Sequence, residues 1–109
     1  MPKLTTHVLD TASGLPAAGV QVQLFREDRL LVEVTTNADG RCEEPLLAGE
    51  AMVSGACRLV FHVGDYFRAR GVASPFLDRV PVEFRVEAGQ SYHVPLVCTP
   101  WSYSTYRGS

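Results

Sequence analysis

Residues 80–98 read VPVEFRVEAGQSYHVPLVC and carry the clearest structural signal in the chain. Apolar side chains stand at alternate positions from Val80 to Val86, which is the pattern of a β-strand with one buried face. Pro81, on the polar side, has no backbone N–H and predicts an edge position or a bulge. The turn residues EAGQ at positions 87–90 then predict a β-hairpin into a second strand over residues 91–98.

In the rest of the chain, short runs in which apolar and polar residues alternate are separated by turn residues. They predict further strands at residues 4–9, 20–24, 30–36, 57–63 and 102–106. Residues 65–70 break the alternation and predict one short helix, which Gly71 ends. Many short strands with a single helix are typical of an all-β sandwich, and we expect one domain over residues 1–109.

The composition is that of an ordinary globular protein. Hydrophobic residues make up 46% and charged residues 20% of the 109 residues, which argues against disorder. The net charge of −2 argues against general binding to nucleic acid or anionic membranes. No apolar stretch is long enough for a signal peptide or a membrane span, and the three cysteines show no paired metal spacing. We therefore expect a cytoplasmic protein without disulfides.

Three histidines are the natural candidates for acid–base chemistry, because an unperturbed imidazole titrates near pH ~6.5. His7, His62 and His93 each lie within a predicted strand, and spacing alone does not separate a catalytic histidine from a half-exposed sheet residue. Two histidines from different strands are also compatible with zinc, although a third ligand is not evident in the sequence. Motifs for a nucleophilic serine or a phosphate-binding loop are missing.

The last four residues of the sequence, YRGS at positions 106–109, are unusual for a chain end. Termini are normally frayed and tolerant of change. Here an aromatic ring, a guanidinium, a glycine and a hydroxyl directly follow a predicted strand. We interpret this tail as part of a binding site, and a serine–histidine nucleophile involving Ser109 stays open as an alternative.

Six segments together carry a resemblance to a known family. They are LTTHVLD at residues 4–10, GLPAAG at 14–19, NADGR at 37–41, GDYF at 64–67, YHVPL at 92–96 and PWSYSTYRGS at 100–109. With these segments, essentially the whole chain resembles the 5-hydroxyisourate hydrolases, the enzyme branch of the transthyretin family. The terminal YRGS is the mark of the enzymes, because the hormone-carrying transthyretins continue into a different tail.

The resemblance implies a transthyretin-like sandwich of two four-stranded antiparallel sheets with one short helix. It also implies a homotetramer, built as a dimer of dimers, with catalytic sites in the two mouths of a central channel. The implied reaction is the hydrolysis of 5-hydroxyisourate to 2-oxo-4-hydroxy-4-carboxy-5-ureidoimidazoline in urate (purine) degradation. This reaction opens a cyclic amide C–N bond and needs no metal or organic cofactor.

The resemblance further implies which residues form the site. The catalytic set falls on His7, Arg41, His93 and Ser109, and the substrate-binding set falls on Tyr106, Arg107 and Gly108. The two histidines would activate water and transfer a proton, with the base unassigned between them. The arginines would bind the planar, oxygen-rich substrate, and Arg41 would also stabilise the oxyanion. Ser109 would orient substrate or water, while His62 has no counterpart in the family's site.

Two other functions are consistent with a β-sandwich of this size. One is a non-enzymatic carrier that binds a hydrophobic small molecule in a central channel, although such a channel gains nothing from buried polar groups without partners. The other is an immunoglobulin-type interaction module, for which the sequence lacks the Cys…Trp…Cys framework. Tight binding without turnover would favour the carrier, and a monomer in solution would favour the interaction module.

Overall fold

The computed structural model describes residues 1–108, which fold into two β-sheets. Within this part of the chain the strands are β1 (Lys3–Asp10), β2 (Leu15–Pro16), β3 (Gln21–Arg26), β4 (Arg29–Thr35), β5 (Leu47–Ala48), β6 (Gly55–Phe61), β7 (Val80–Val86), β8 (Tyr92–Cys98) and β9 (Tyr103–Thr105). The helix α1 (Val63–Ala69) follows β6, and a short 3-10 helix at Gly49–Ala51 follows β5. The helix therefore lies within two residues of the predicted segment 65–70.

The two sheets have different strand orders. The first sheet runs β2–β1–β8–β9, and the short β5 also pairs with β1. The second sheet runs β4–β3–β6–β7, and its neighbouring strands are antiparallel. The predicted class, a transthyretin-like sandwich of two sheets with one short helix, is confirmed for residues 1–108. In detail, the first sheet has five strands rather than four, and its central pair β1–β8 is parallel.

β7 and β8 do not form the hairpin that residues 80–98 predict. β7 pairs with β6 in the second sheet, whereas β8 pairs with β1 and β9 in the first sheet. The turn between them, in which Gly89 has a φ of 84°, therefore crosses from one sheet to the other. The hairpin prediction was wrong because alternation indicates which face of a strand is buried, whereas packing across the whole sandwich selects the partner strand. The same crossing brings β8 alongside β1 in the parallel direction.

The core lies between the two sheets and is apolar. Side chains without exposed surface come from both sheets and include Leu4, Val8, Leu24, Leu59, Phe61 and Leu96. In β1, every second residue from Leu4 to Asp10 is buried, and the residues between them are half-buried. The outer face of β1, which carries Thr5 and His7, is therefore free to form a site.

The helix α1 is tied to the end of β1 by a buried polar contact. The Tyr66 hydroxyl donates a hydrogen bond of 2.9 Å to Oδ2 of Asp10, and both residues are buried. Oδ1 of the same carboxylate accepts the backbone N–H of Ala12 at 2.9 Å. Burial, together with the Asp10 contact, raises the pKa of Tyr66 to about 12. The buried carboxylate is thus satisfied by the helix on one side and by the loop after β1 on the other.

Two expectations from the sequence concern membrane spans and cysteines. Within residues 1–108, no helix has the length and apolar character needed to cross a membrane. Cys42, Cys57 and Cys98 carry free thiols. Cys57 and Cys98 are buried, and burial with the nearby Asp10 raises the pKa of the Cys98 thiol to about 12.

Candidate active site

The outer face of the first sheet brings two of the predicted histidines together. In the parallel ladder between β1 and β8, His93 stands opposite Thr5 and Pro95 stands opposite His7. Residues two apart on a strand share a face of the sheet. The His7 and His93 side chains therefore project from the same side of adjacent strands, and both residues are half-buried.

A tight turn places Arg41 beside His7. The carbonyl of Asn37 accepts the Gly40 N–H at 2.9 Å, and the Asn37 Oδ1 accepts the Arg41 N–H at 3.2 Å. The Gly40 carbonyl accepts the Val8 N–H at 2.8 Å, which docks the turn on β1. Gly40 has a φ of +73°, and a Cβ there would collide with the Val8 carbonyl, so this position requires glycine. The result is an isolated β-bridge between Arg41 and His7.

After β9 the chain returns to β8 and closes over His93. The Gly108 N–H donates a hydrogen bond of 2.7 Å to the His93 carbonyl, and the two residues form an isolated antiparallel bridge. A Cβ on Gly108 would lie only 2.7 Å from His93 Cδ2. Glycine is therefore the residue that lets the tail approach the imidazole this closely.

These elements border an open pocket of about 640 Å³ on the outer face of the first sheet. Six of the seven predicted site residues line it: His7, Arg41, His93, Tyr106, Arg107 and Gly108. The seventh, Ser109, lies outside the described residues. His62 lies elsewhere, just before α1, where its Nε2 is 2.8 Å from Gln23 Oε1.

Four residues that the sequence analysis did not predict also line the pocket, namely Lys3, Thr5, Thr6 and Cys42. Lys3 and Thr5 share the outer face of β1 with His7, so the alternation of β1 contains the signal that identifies them. Cys42 directly follows Arg41 in the sequence. Its thiol is half-buried, and burial raises its pKa.

Arg107 is held at the rim of the pocket by the start of β8. Its Nη2 donates to the Ser91 carbonyl at 3.2 Å and to Gln90 Oε1 at 3.4 Å. The guanidinium also lies over the Tyr92 ring, 4.4 Å from the ring centre, in a cation–π contact. Tyr106, by contrast, is 59% exposed. The tail is therefore anchored at two points. The backbone of Gly108 binds the His93 carbonyl, and the Arg107 guanidinium binds the residues at the start of β8.

The pocket is cationic. Lys3, Arg41 and Arg107 contribute positive charge, and no aspartate or glutamate from residues 1–108 lines it. A guanidinium binds planar polar groups through paired hydrogen bonds. The pocket therefore suits an anionic or oxygen-rich ligand.

The surroundings hold both histidines in the neutral form. Burial lowers the pKa of His7, and the Arg41 charge lowers it further. The Asp39 backbone and the Asp39 charge act in the opposite direction, and the net shift of the pKa is downward. Burial likewise lowers the pKa of His93, and the charges of Arg41 and His7 add to this effect. Because both values lie below the ordinary ~6.5, each imidazole is neutral at pH 7 and able to accept a proton.

A second depression, of about 500 Å³, is lined by residues of the second sheet and has different chemistry. Two of its three arginines are already engaged, since Arg58 pairs with Asp28 at 3.1 Å and Arg26 donates to the Val53 carbonyl at 2.6 Å. Its described lining includes no histidine. Among residues 1–108, no group of three or more histidine, cysteine, aspartate or glutamate side chains is arranged to hold a metal ion. The cationic pocket on the first sheet is therefore the candidate active site.

Comparisons with other sequences find similarity along nearly the whole chain. The sequence model of the HIUase/Transthyretin family matches residues 4–108. The 5-hydroxyisourate hydrolase of Ralstonia nicotianae is 55% identical over 117 aligned positions, covering 100% of both chains.

Solved structures share the fold. The structure of Klebsiella pneumoniae 5-hydroxyisourate hydrolase superposes with a TM-score of 0.88 at 38% identity and covers 100% of both chains. The crystal structure of (S)-allantoin synthase superposes with a TM-score of 0.94 at 41% identity, covering 99% of this chain and 44% of that chain. This chain therefore spans less than half the length of the latter protein.

Proposed function

This chain belongs to the HIUase/Transthyretin family, and we propose that it is a 5-hydroxyisourate hydrolase whose active site is the cationic pocket on the first sheet. The full-length identity to a relative of that name supports the activity, and the family resemblance predicted from six sequence segments is confirmed. One observation carries the location of the site. His7, Arg41 and His93 converge from three separate parts of the chain on one open face.

The pocket supplies a group for each step of a cyclic amide hydrolysis. A neutral imidazole takes a proton from water as the water oxygen bonds to the acyl carbon. A guanidinium stabilises the charge that develops on the carbonyl oxygen, an effect of about 3–4 kcal/mol for a well-placed donor. The C–N bond then breaks, and the leaving nitrogen takes up a proton. The atoms of water are thereby divided between the new carboxyl group and the released nitrogen.

His7 and His93 are the groups that move these protons. Both are neutral at pH 7 for the reasons given above, and each such role contributes typically ~10²–10⁴ in rate. Arg41 is assigned as the oxyanion stabiliser, because its guanidinium lines the same pocket as the two histidines.

The tail completes the site. Arg107 binds the planar substrate from the rim, where its contacts with the start of β8 already hold it. Gly108 closes the pocket over His93. Tyr106 packs the tail in place, and Ser109 orients substrate or water.

The working form in this proposal is a homotetramer, a dimer of dimers, of one-domain chains over residues 1–109. β7 and β9 stand at the ends of their sheets, where strand edges are open to pairing with another copy. Trp101 and Tyr103, at 62% and 45% exposure, add apolar surface beside β9 that a partner would cover. Three free thiols support a reducing compartment, the cytoplasm.

A rate assay tests the function. Urate oxidase generates 5-hydroxyisourate in place, the protein is added, and the ultraviolet decay is followed against the spontaneous reaction. The expected result is a large acceleration by the full chain and none by a chain that lacks residues 106–109. Circular dichroism and light scattering of the truncated chain establish that its fold and assembly are unchanged.

The outcomes of this assay separate the alternatives. Decay at the spontaneous rate with a folded full-length chain would overturn the hydrolase, and tight substrate binding without turnover would point to the carrier. A truncated chain that dissociates or precipitates would show that the tail stabilises the assembly. If light scattering shows that the wild-type protein is a monomer, the proposed tetramer is contradicted. The rate assay then still decides whether the chain is a hydrolase.

A further inference from the structure

The hydroxyl of Thr5 contacts one of the two histidines directly. Thr5 Oγ1 lies 2.8 Å from His93 Nδ1, which is hydrogen-bonding distance. The two residues stand opposite each other in the ladder between β1 and β8, in the centre of the first sheet. The contact therefore joins two rigid neighbours, and strands hold functional side chains more exactly in place than loops do.

The neighbouring threonine shows that this contact is specific to one face of the strand. Thr6 is buried on the core side of β1, and its hydroxyl donates to the Val94 carbonyl at 2.7 Å. Thr6 thus satisfies a buried backbone group and has a structural role. Thr5, one residue earlier and on the opposite face, directs its hydroxyl at a ring in the pocket.

The His93 ring is held at two edges. Thr5 lies at the Nδ1 edge, and the backbone of Gly108 packs against the Cδ2 edge. With these two edges occupied, Nε2 is the ring nitrogen left for a substrate. The imidazole therefore has a defined orientation before any ligand binds.

We propose that Thr5 is a positioning residue for His93: its hydroxyl donates to Nδ1, orients the ring and keeps the ring proton on Nε2. This inference rests on the proposed function. A proton on Nε2 makes His93 the donor to the leaving nitrogen. His7, the other pocket histidine, is then the base, since it lines the same pocket on the neighbouring strand.

The charged groups around His93 act in the same direction. They are Lys3 on β1, Arg41 in the turn after β4 and Arg107 in the tail, together with His7 on β1 once it is protonated at low pH. Each positive charge disfavours a positively charged imidazolium. A hydrogen bond donated to Nδ1 also stabilises the neutral ring, so loss of the Thr5 hydroxyl makes His93 easier to protonate.

Matched substitutions test the proposal by kinetics. Thr5→Val removes the hydroxyl at nearly constant volume, and Thr5→Ser retains it. We expect Thr5→Val to lower kcat about ten- to a hundredfold with little change in KM, and to raise the pKa of the His93 ring in an NMR titration. Thr5→Ser should restore most of kcat. The control Thr6→Val should lower the midpoint of thermal unfolding and leave the pKa of the His93 ring unchanged.

A readout without substrate tests it independently. Nitrogen-15 NMR of the histidine rings should show His93 as the Nε2–H tautomer in the wild type, and a mixture of tautomers in Thr5→Val. An Nδ1–H tautomer in the wild type would overturn the proposal. So would unchanged kinetics of Thr5→Val, or Thr5→Ser as impaired as Thr5→Val. If the wild type does not hydrolyse 5-hydroxyisourate, the proposed function fails, and the tautomer still decides the role of Thr5 toward His93.

Discussion

Gly108 and His93 are in contact through both backbone and ring. The glycine N–H donates to the histidine carbonyl at 2.7 Å, and a Cβ on the glycine would lie 2.7 Å from the histidine Cδ2. The path of the tail and the orientation of the imidazole are therefore coupled. A segment of the kind that usually frays here forms one wall of the pocket.

Gly108→Ala should lower kcat about a hundredfold, because the added methyl group displaces either the imidazole or the tail by a distance of the order of an ångström. The fold should be retained, since the clash involves one side chain in the pocket. Gly71→Ala is the control: Gly71 has a φ of +75° and open space around it, so this change should cost stability and leave kcat unchanged. Wild-type kcat in a folded Gly108→Ala variant would show that the contact is dispensable.

His7→Ala and His93→Ala should each lower kcat by about 10²–10⁴, because each removes a proton-transfer group. His62→Ala is the matched control, since His62 contacts Gln23 outside the pocket. It should retain the wild-type kcat. Steady-state rates on 5-hydroxyisourate, with circular dichroism for folding, decide the result, and equal losses in all three variants would contradict the assignment.

Arg41→Gln should raise the pKa of both pocket histidines, because the guanidinium charge lowers each of them in the wild type. In the wild type, the neutral imidazoles persist as the pH falls below ~6.5, and they are lost only as it falls through the lowered pKa values. NMR titration of the ring protons measures these values without turnover. Arg85→Gln, on the exposed side of β7, is the control. Unchanged histidine pKa values in Arg41→Gln would contradict the electrostatic account.

The same shifts predict how stability depends on pH. When the pKa of a histidine is lower in the folded state than in the unfolded state, the unfolded chain binds more protons than the folded chain at any pH between the two pKa values. The free energy of unfolding should therefore fall as the pH drops below about 6.5. Urea titrations across this range should show the fall, and the double variant His7→Gln/His93→Gln should show a smaller one. An identical slope in the double variant would assign the effect to other groups.

Tyr66→Phe should lower the free energy of unfolding by about 1–3 kcal/mol, because it leaves the buried Asp10 carboxylate without one of its partners. Tyr103→Phe, at a position 45% exposed on β9, is the control and should change stability little. Urea unfolding of the two variants gives the comparison. Equal stability of Tyr66→Phe and the wild type would mean that water replaces the lost hydroxyl.

The strands were predictable because burial follows a local pattern. The alternation along residues 80–86 marks β7 correctly, and that along residues 4–9 marks most of β1. The pairing of the strands was not predictable in the same way. Residues 80–98 read as a hairpin, yet β7 and β8 belong to different sheets, because the partner of a strand depends on contacts between residues far apart in the chain.

The site shows the same division between local and distant information. The family resemblance identified six residues that the structure brings to one pocket, and the seventh, Ser109, lies outside the described residues. Thr5 was missed, although its place on the outer face of β1 was readable. What no local pattern contains is the parallel register that sets Thr5 opposite His93 and so brings hydroxyl and ring to 2.8 Å.

The chain alone therefore established an all-β sandwich through its periodicity, and the resemblance of six short segments to a known family supplied the family and the residue types of the site. The folded molecule established which groups touch. His7, Arg41, His93 and Gly108 meet because a parallel strand pair, a glycine turn docked on Val8 and a returning tail place them on one face. Hydrogen-bond partners and pKa shifts depend on distances of a few ångströms across strands, and such distances exist only once the chain has folded.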